Sequence, residues 1–118
     1  MEEKIRFAAG NISKKRERVA LYAKLGADGQ TTENQLHELR KIADQKGWQI
    51  AREFVDQNIN PSKGRGQGPG FDEMFNGVKR GDFDLIMVWN VDRLGRSLRQ
   101  LISFLDELHS KNIDIFIN

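Results

Sequence analysis

In VDRLGRS (residues 91–97), Asp92 and Arg93 stand at the end of an apolar run and Arg96 follows three residues later, just ahead of Ser97. Two guanidiniums would meet the start of a helix there. That combination suits a phosphate, because arginine offers a rigid fork of donors and a helix start adds unpaired N–H groups with partial positive charge. Asp92 could hold one arginine in place or handle a proton. A surface ion pair beside a helix cap uses the same residues, and spacing alone does not choose between the two readings. A second cluster lies in KLGADGQTTENQ (residues 24–35), where Lys24 adds a cation, Gly26 and Gly29 free the backbone, and Asp28 and Gln30 add polar groups. Glycines in such a loop also serve simply as turn residues.

These residues need elements to position them. RVALYAKL (18–25) is a short apolar, β-prone run. TTENQLHELRKIADQKG (31–47) puts Leu36, Leu39, Ile42 and Ala43 on one helical face, with Thr32 and Gln35 spaced as a capping box and Gly47 at the C-terminal stop. A second strand, WQIAREFV (48–55), follows, and then DQNINPSKGRGQGPG (56–70), a glycine-rich loop that carries Lys63 and Arg65. Phe71, Met74, Phe75 and Val78 define a short helix closed by Gly81, and DLIMVWNV (84–91) reads as a buried parallel strand. Leu98, Leu101, Ile102, Leu105 and Leu108 give a third helix, started by Ser97 with Gln100, and IDIFI (113–117) supplies a last strand.

Strands alternating with helices predict an α/β fold: a three-layer α/β/α domain with a mainly parallel sheet over residues 18–118. Residues 1–17, which end in KKRE and show no period, read as a flexible leader. Ligands of such sheets gather beyond the carboxyl ends of the strands, where strand order reverses. The two clusters above fall in two such loops.

Composition narrows the chemistry further. The 118 residues contain no cysteine and two histidines, so thiolate chemistry and disulfides are out, and His37 and His109 fall on separate helices with no carboxylate group at ligand spacing. No cofactor and no metal are expected. No apolar run approaches the ~20 residues that span a bilayer, and the reading is of an intracellular, cytoplasmic chain. Net charge is only +2, but residues 60–80 carry a surplus of +2 while residues 81–118 carry −2 around the Arg93, Arg96 and Arg99 cluster. The glycine-rich loop lacks G-x-x-x-x-G-K-[ST], and Pro69 and Phe71 break G-x-G-x-x-G, which argues against a nucleotide cradle. Trp48 and Trp89 fall in strands and read as core.

The order YAKLGADGQTTENQL, GWQI…FVD, PSKGRGQGPGFDEM, FDLIMVWNVDRLGRSL and LDELHSKNIDIFI resembles the catalytic domain of the serine recombinases, the resolvase and invertase family. The likeness covers residues 18–118. It implies DNA strand cleavage and exchange through a serine phosphoester, without metal, by dimers that assemble into tetramers on DNA. By the same resemblance the family's arginines fall on Arg93 and Arg96 beside Asp92, and its polar glutamine on Gln35. The nucleophilic serine falls on Gly26 and the strand-end arginine on Lys24, while an arginine of the mid-domain loop falls on Gly68, with Arg65 nearby.

Glycine has no hydroxyl to attack phosphorus. The expectation is therefore a recombinase domain that contacts the DNA backbone weakly through Lys24, Lys63, Arg65, Arg93 and Arg96, self-associates as a homodimer or tetramer, and is catalytically impaired or dead. The alternative is a non-catalytic interaction module that pairs with itself or with an active recombinase. A small-nucleotide-binding α/β domain is a third reading.

Overall fold

The computed structural model describes residues 5–7, 17–25, 29–57, 68–94 and 97–118. In chain order the elements are β1 (Ile5–Phe7), β2 (Arg18–Lys24), α1 (Thr32–Lys46), β3 (Gln49–Asp56), α2 (Pro69–Arg80), β4 (Leu85–Val88), a 3-10 turn (Val91–Leu94), α3 (Leu98–Ser110) and β5 (Asp114–Ile117). One sheet holds all five strands in the order β1-β5-β4-β2-β3. Strands β2 to β5 run parallel, and β1 lies antiparallel to β5 with Ile5 opposite Ile117. The α/β architecture with a mainly parallel sheet is the one the alternation of elements predicts.

β2 sits at the centre because its side chains satisfy both faces. Val19 to Ala23 are fully buried. Val19, Leu21 and Ala23 point to α1 and pack with Leu36, Leu39, Ile42 and Ala43, while Ala20 and Tyr22 point the other way to Phe71, Met74, Val78, Phe104 and Leu108 of α2 and α3. A strand covered on both faces must be apolar at consecutive positions rather than alternating ones. Truncating a buried leucine such as Leu39 in this arrangement costs about 2–5 kcal/mol.

Three expectations need correction. The leader expected over residues 1–17 includes strand β1 at Ile5–Phe7, whose three residues alone carry too little pattern to be read; the ladder with β5 forms it. The α1 cap is Thr31, whose Oγ1 accepts from Asn34 N–H at 3.0 Å. Thr32 is the first helical residue and is buried, so Gln35 belongs to no capping box. Finally, the strand expected over residues 84–91 spans only Leu85–Val88, and Val91 instead opens the 3-10 turn. Trp48 and Trp89 accordingly sit just outside β3 and β4, both half-buried, with Trp48 edge-on to Phe116 at 5.8 Å.

The remaining helix ends follow the sequence. Gly47 and Gly81 close α1 and α2 in the left-handed region at φ 73° and 75°. Ser97 and Gln100 form the reciprocal capping box at α3, with Ser97 Oγ accepting from Gln100 N–H at 3.2 Å.

Candidate functional site at the carboxyl ends of β2 and β4

The chain leaves β2 through α1 to reach β3 on one side, then returns through α2 to β4 on the other side of β2. Strand order therefore reverses between β2 and β4, and their carboxyl ends open the crevice where such sheets bind ligands. Lys24 closes β2, and the 3-10 turn that follows β4 lies against β2. Both candidate loops start from this point.

Gln35 organises the β2 side. It is fully buried, its Oε1 accepts from the Lys24 N–H at 3.2 Å, and its Nε2 donates to the Lys24 carbonyl at 2.9 Å and the Gln30 carbonyl at 3.2 Å. A side-chain amide here replaces the ladder partner that a strand end lacks, so the backbone direction of the loop after Lys24 is set from α1. The Lys24 side chain is half-buried at the edge of the crevice.

Asp56, which the sequence reading left in the loop, anchors the neighbouring corner. It is the last residue of β3, lies opposite Lys24 in the ladder and is 4% exposed. Its Oδ2 accepts from Tyr22 Oη–H at 2.8 Å and Phe71 N–H at 2.9 Å, and its Oδ1 from Gly70 N–H at 2.8 Å. The carboxylate thus caps α2, whose own N-cap residue Gly68 has no side chain to do so. The signal was present in the sequence as an aspartate ahead of a Pro-Gly helix start with no capping side chain. What it lacked was distance information, since the donors lie 14 to 34 residues away.

On the β4 side, Arg93 is 4% exposed within the 3-10 turn, and its N–H donates to the Asn90 carbonyl at 3.1 Å. A guanidinium so far from water must be met by hydrogen bonds or counter-charge. Asp92 belongs to the same turn by its backbone. Of the sequence-derived site residues, Lys24, Gln35 and Arg93 come to this end of the sheet, with Asp92 placed by its backbone alone. Gly26, Lys63, Arg65 and Arg96 lie outside the described residues.

The opposite end of the sheet carries paired charge. Arg18 at the start of β2 meets both oxygens of Asp84 at 3.2 Å, and that hydrogen bonding raises the already high guanidinium pKa. A shallow cavity of about 220 Å³ between α2 and α3, lined by Phe75, Arg99, Gln100, Ser103 and Phe104, takes in none of the strand-end residues. Among the described residues no helix is long and apolar enough to cross a membrane.

The family profile described as resolvase, N terminal domain, matches residues 19–118. The chain belongs to this family. The resolvase of transposon Tn2501 from Escherichia coli is 28% identical over 99 residues, which are 83% of this chain and 48% of that protein. The chain therefore spans about half the length of this curated relative. Among solved structures, the N-terminal catalytic domain of TP901-1 integrase superposes with a TM-score of 0.70 at 27% identity, covering 86% of this chain and 75% of that one. A resolvase family site-specific recombinase from Streptococcus pneumoniae gives 0.68 at 18% identity over 83% of this chain and 69% of that one, a likeness of fold. The resolvase match starts one residue into β2 and runs through β5, so both strand ends of the crevice lie inside it.

Proposed function

We propose that this resolvase-family domain holds a DNA backbone phosphate at the carboxyl ends of β2 and β4 and does not cut the strand. The supporting observation is the identity of residue 26. By resemblance the nucleophile of the serine recombinases stands two residues beyond the end of β2, and this chain has Gly26 there. A glycine cannot form the phosphoester that carries strand exchange. Lys24, in place of the family's arginine, keeps a positive charge but loses the planar two-pronged contact. Gly68, where by resemblance a loop arginine stands, has no charge to offer, and loss of one such electrostatic donor costs about 2.7–4 kcal/mol of barrier. What remains is a clamp: Arg93 and, by resemblance, Arg96 to meet the phosphate, with Gln35 and Asp56 setting the backbone around it.

The test is incubation with supercoiled plasmid. The unaltered chain is expected to give neither nicked circles nor a covalent protein–DNA adduct, and either product would refute the reading. Gly26→Ser combined with Lys24→Arg is expected to produce a detectable adduct. Binding of the unaltered chain to duplex DNA should be weak, fall steeply with salt, and weaken further in Arg93→Ala.

A further inference from the structure

The cavity of about 220 Å³ between α2 and α3 joins two kinds of side chain. Its inner wall is aromatic. Phe75 of α2 and the buried Phe104 of α3 meet with ring centroids 5.5 Å apart at 62°, and Phe71 backs Phe104 at 5.1 Å. Its rim is a set of donors from one helix: Arg99 and Ser103 stand at i and i+4 on the same face of α3, with Gln100 beside them. Gln100 accepts from the Ser97 N–H through Oε1 at 3.3 Å in the capping box, so the NH2 end of its amide is the one left to donate to a ligand. No acidic side chain lines the cavity, and Arg99 forms no ion pair with another described residue. A second cation, Lys79, lies over the Phe75 ring, 4.9 Å from its centroid.

We propose that this cavity is a binding site for a small aromatic carboxylate, a single ring bearing one carboxylate group. The aromatic wall selects the ring, because a third ring set edge-on or offset against Phe75 and Phe104 gains from both burial and ring electrostatics. The rim selects the head group. A planar carboxylate accepts two parallel bonds from a guanidinium, and the Ser103 hydroxyl and the Gln100 amide can donate to its remaining lone pairs. An ammonium head group would meet Arg99 and Lys79 with no counter-charge in the lining. Size sets the upper limit: the volume falls short of the ~300 Å³ at which drug-sized pockets begin, so one ring fits and a nucleotide does not. A shallow site of this size holds its ligand with a Kd on the order of 1 mM. The site lies apart from the strand-end crevice and does not depend on the phosphate reading.

Titration of the isotope-labelled whole chain with benzoate, followed by amide chemical shifts, tests this. Benzoate should give saturable shifts confined to the amides around Phe75, Arg99 and Ser103. Acetate, benzamide and benzylamine, which lack the ring, the charge or its sign, should bind at least roughly 10-fold more weakly. Arg99→Gln removes the guanidinium fork at an exposed position and should weaken benzoate by roughly 10-fold, with Arg99→Lys recovering only part of the loss. Ser103→Phe fills the cavity, also from an exposed position, and should abolish the saturable shifts with an unchanged circular dichroism spectrum. Shifts that do not saturate, that spread over the whole surface, or that are unchanged in Arg99→Gln would each overturn the proposal, as would benzamide binding as tightly as benzoate.

Discussion

Gln35 grips the peptide of Lys24 with both ends of its amide, accepting from the Lys24 N–H at 3.2 Å and donating to its carbonyl at 2.9 Å. The glutamine comes from the first turn of α1 and the lysine from the end of β2, so one side chain joins the helix to the strand end at the crevice between β2 and β4. Gln35→Leu keeps the volume but leaves these buried backbone groups without partners, which should lower stability by about 1–3 kcal/mol. Gln35→Glu keeps the acceptor for Lys24 N–H and sets a carboxylate oxygen against the carbonyls of Lys24 and Gln30, so it should be no milder than Gln35→Leu at neutral pH. Urea denaturation should show a lower midpoint with an unchanged slope for both variants.

The Tyr22–Asp56 pair makes a second prediction about the same corner. Asp56→Ala removes the cap of α2 and the acceptor that Tyr22 Oη–H uses, so a loss of about 2 kcal/mol or more is expected from the cap and the lost bond together. Tyr22→Phe removes one donor without a cavity and should cost about 0.5–1.5 kcal/mol. Because the two share a hydrogen bond of 2.8 Å, their effects should not add: a double-mutant cycle should give a coupling of about 0.5 kcal/mol or more, and simple additivity would contradict the shared bond.

Why the order of elements was legible and the site only partly so is a matter of range. α1, α2 and α3 write their periods and stops within a few residues, and β2 and β4 are too apolar to be anything but central strands. The α1 cap was misplaced by one residue because Thr31 and Thr32 are chemically alike, and Gln35 has the right spacing to serve Thr32. The deciding fact is tertiary: Gln35 is drawn down onto Lys24 and is not available to a cap. Asp56 was missed for the same reason, since its importance comes from donors on β2 and α2. β1 is set by pairing with β5 at the far end of the chain, and no local pattern in Ile5–Phe7 announces it. Arg93 and Lys24 were legible because charged residues at strand ends stand out against apolar runs.

Close approach, rather than conformation, fixes glycine at position 70. A Cβ there would lie 2.7 Å from the Val55 carbonyl oxygen and 2.9 Å from Asp56 Oδ1, and backbone cannot step aside as a flexible side chain can. Gly70→Ala should therefore cost about 1–3 kcal/mol by overpacking, and Gly70→Asn more. Gly47 is the contrast, with φ 73° and open space around it. Gly47→Ala should cost about 1 kcal/mol, and Gly47→Asn less than that, because asparagine tolerates the left-handed region. Thermal denaturation of the four variants separates the cases: asparagine should worsen the defect at position 70 and ease it at position 47.

The Arg40–Glu53 pair should leave a signature in the pH dependence of stability. Arg40 on α1 reaches the edge strand β3 with two parallel bonds, Nε to Glu53 Oε2 at 2.7 Å and Nη2 to Oε1 at 2.8 Å. The hydrogen bonds hold the Glu53 carboxyl below its ordinary value of about 4.5 and raise the guanidinium, which stays charged throughout. A depressed carboxyl pKa contributes stability that is fully present above the ordinary value and is lost as the pH falls through the lower folded value. Both side chains are partly exposed, 40% for Arg40 and 30% for Glu53, so solvent screening limits the pair to about 0.5–1 kcal/mol even with this geometry. Comparison of the unaltered chain with Glu53→Gln from pH 7 down to pH 2 should show that difference at neutral pH, shrinking only below the ordinary glutamate range. The difference should also fall in 1 M salt, and a gap that grew on acidification would show that the pair does not act through the ionised carboxylate.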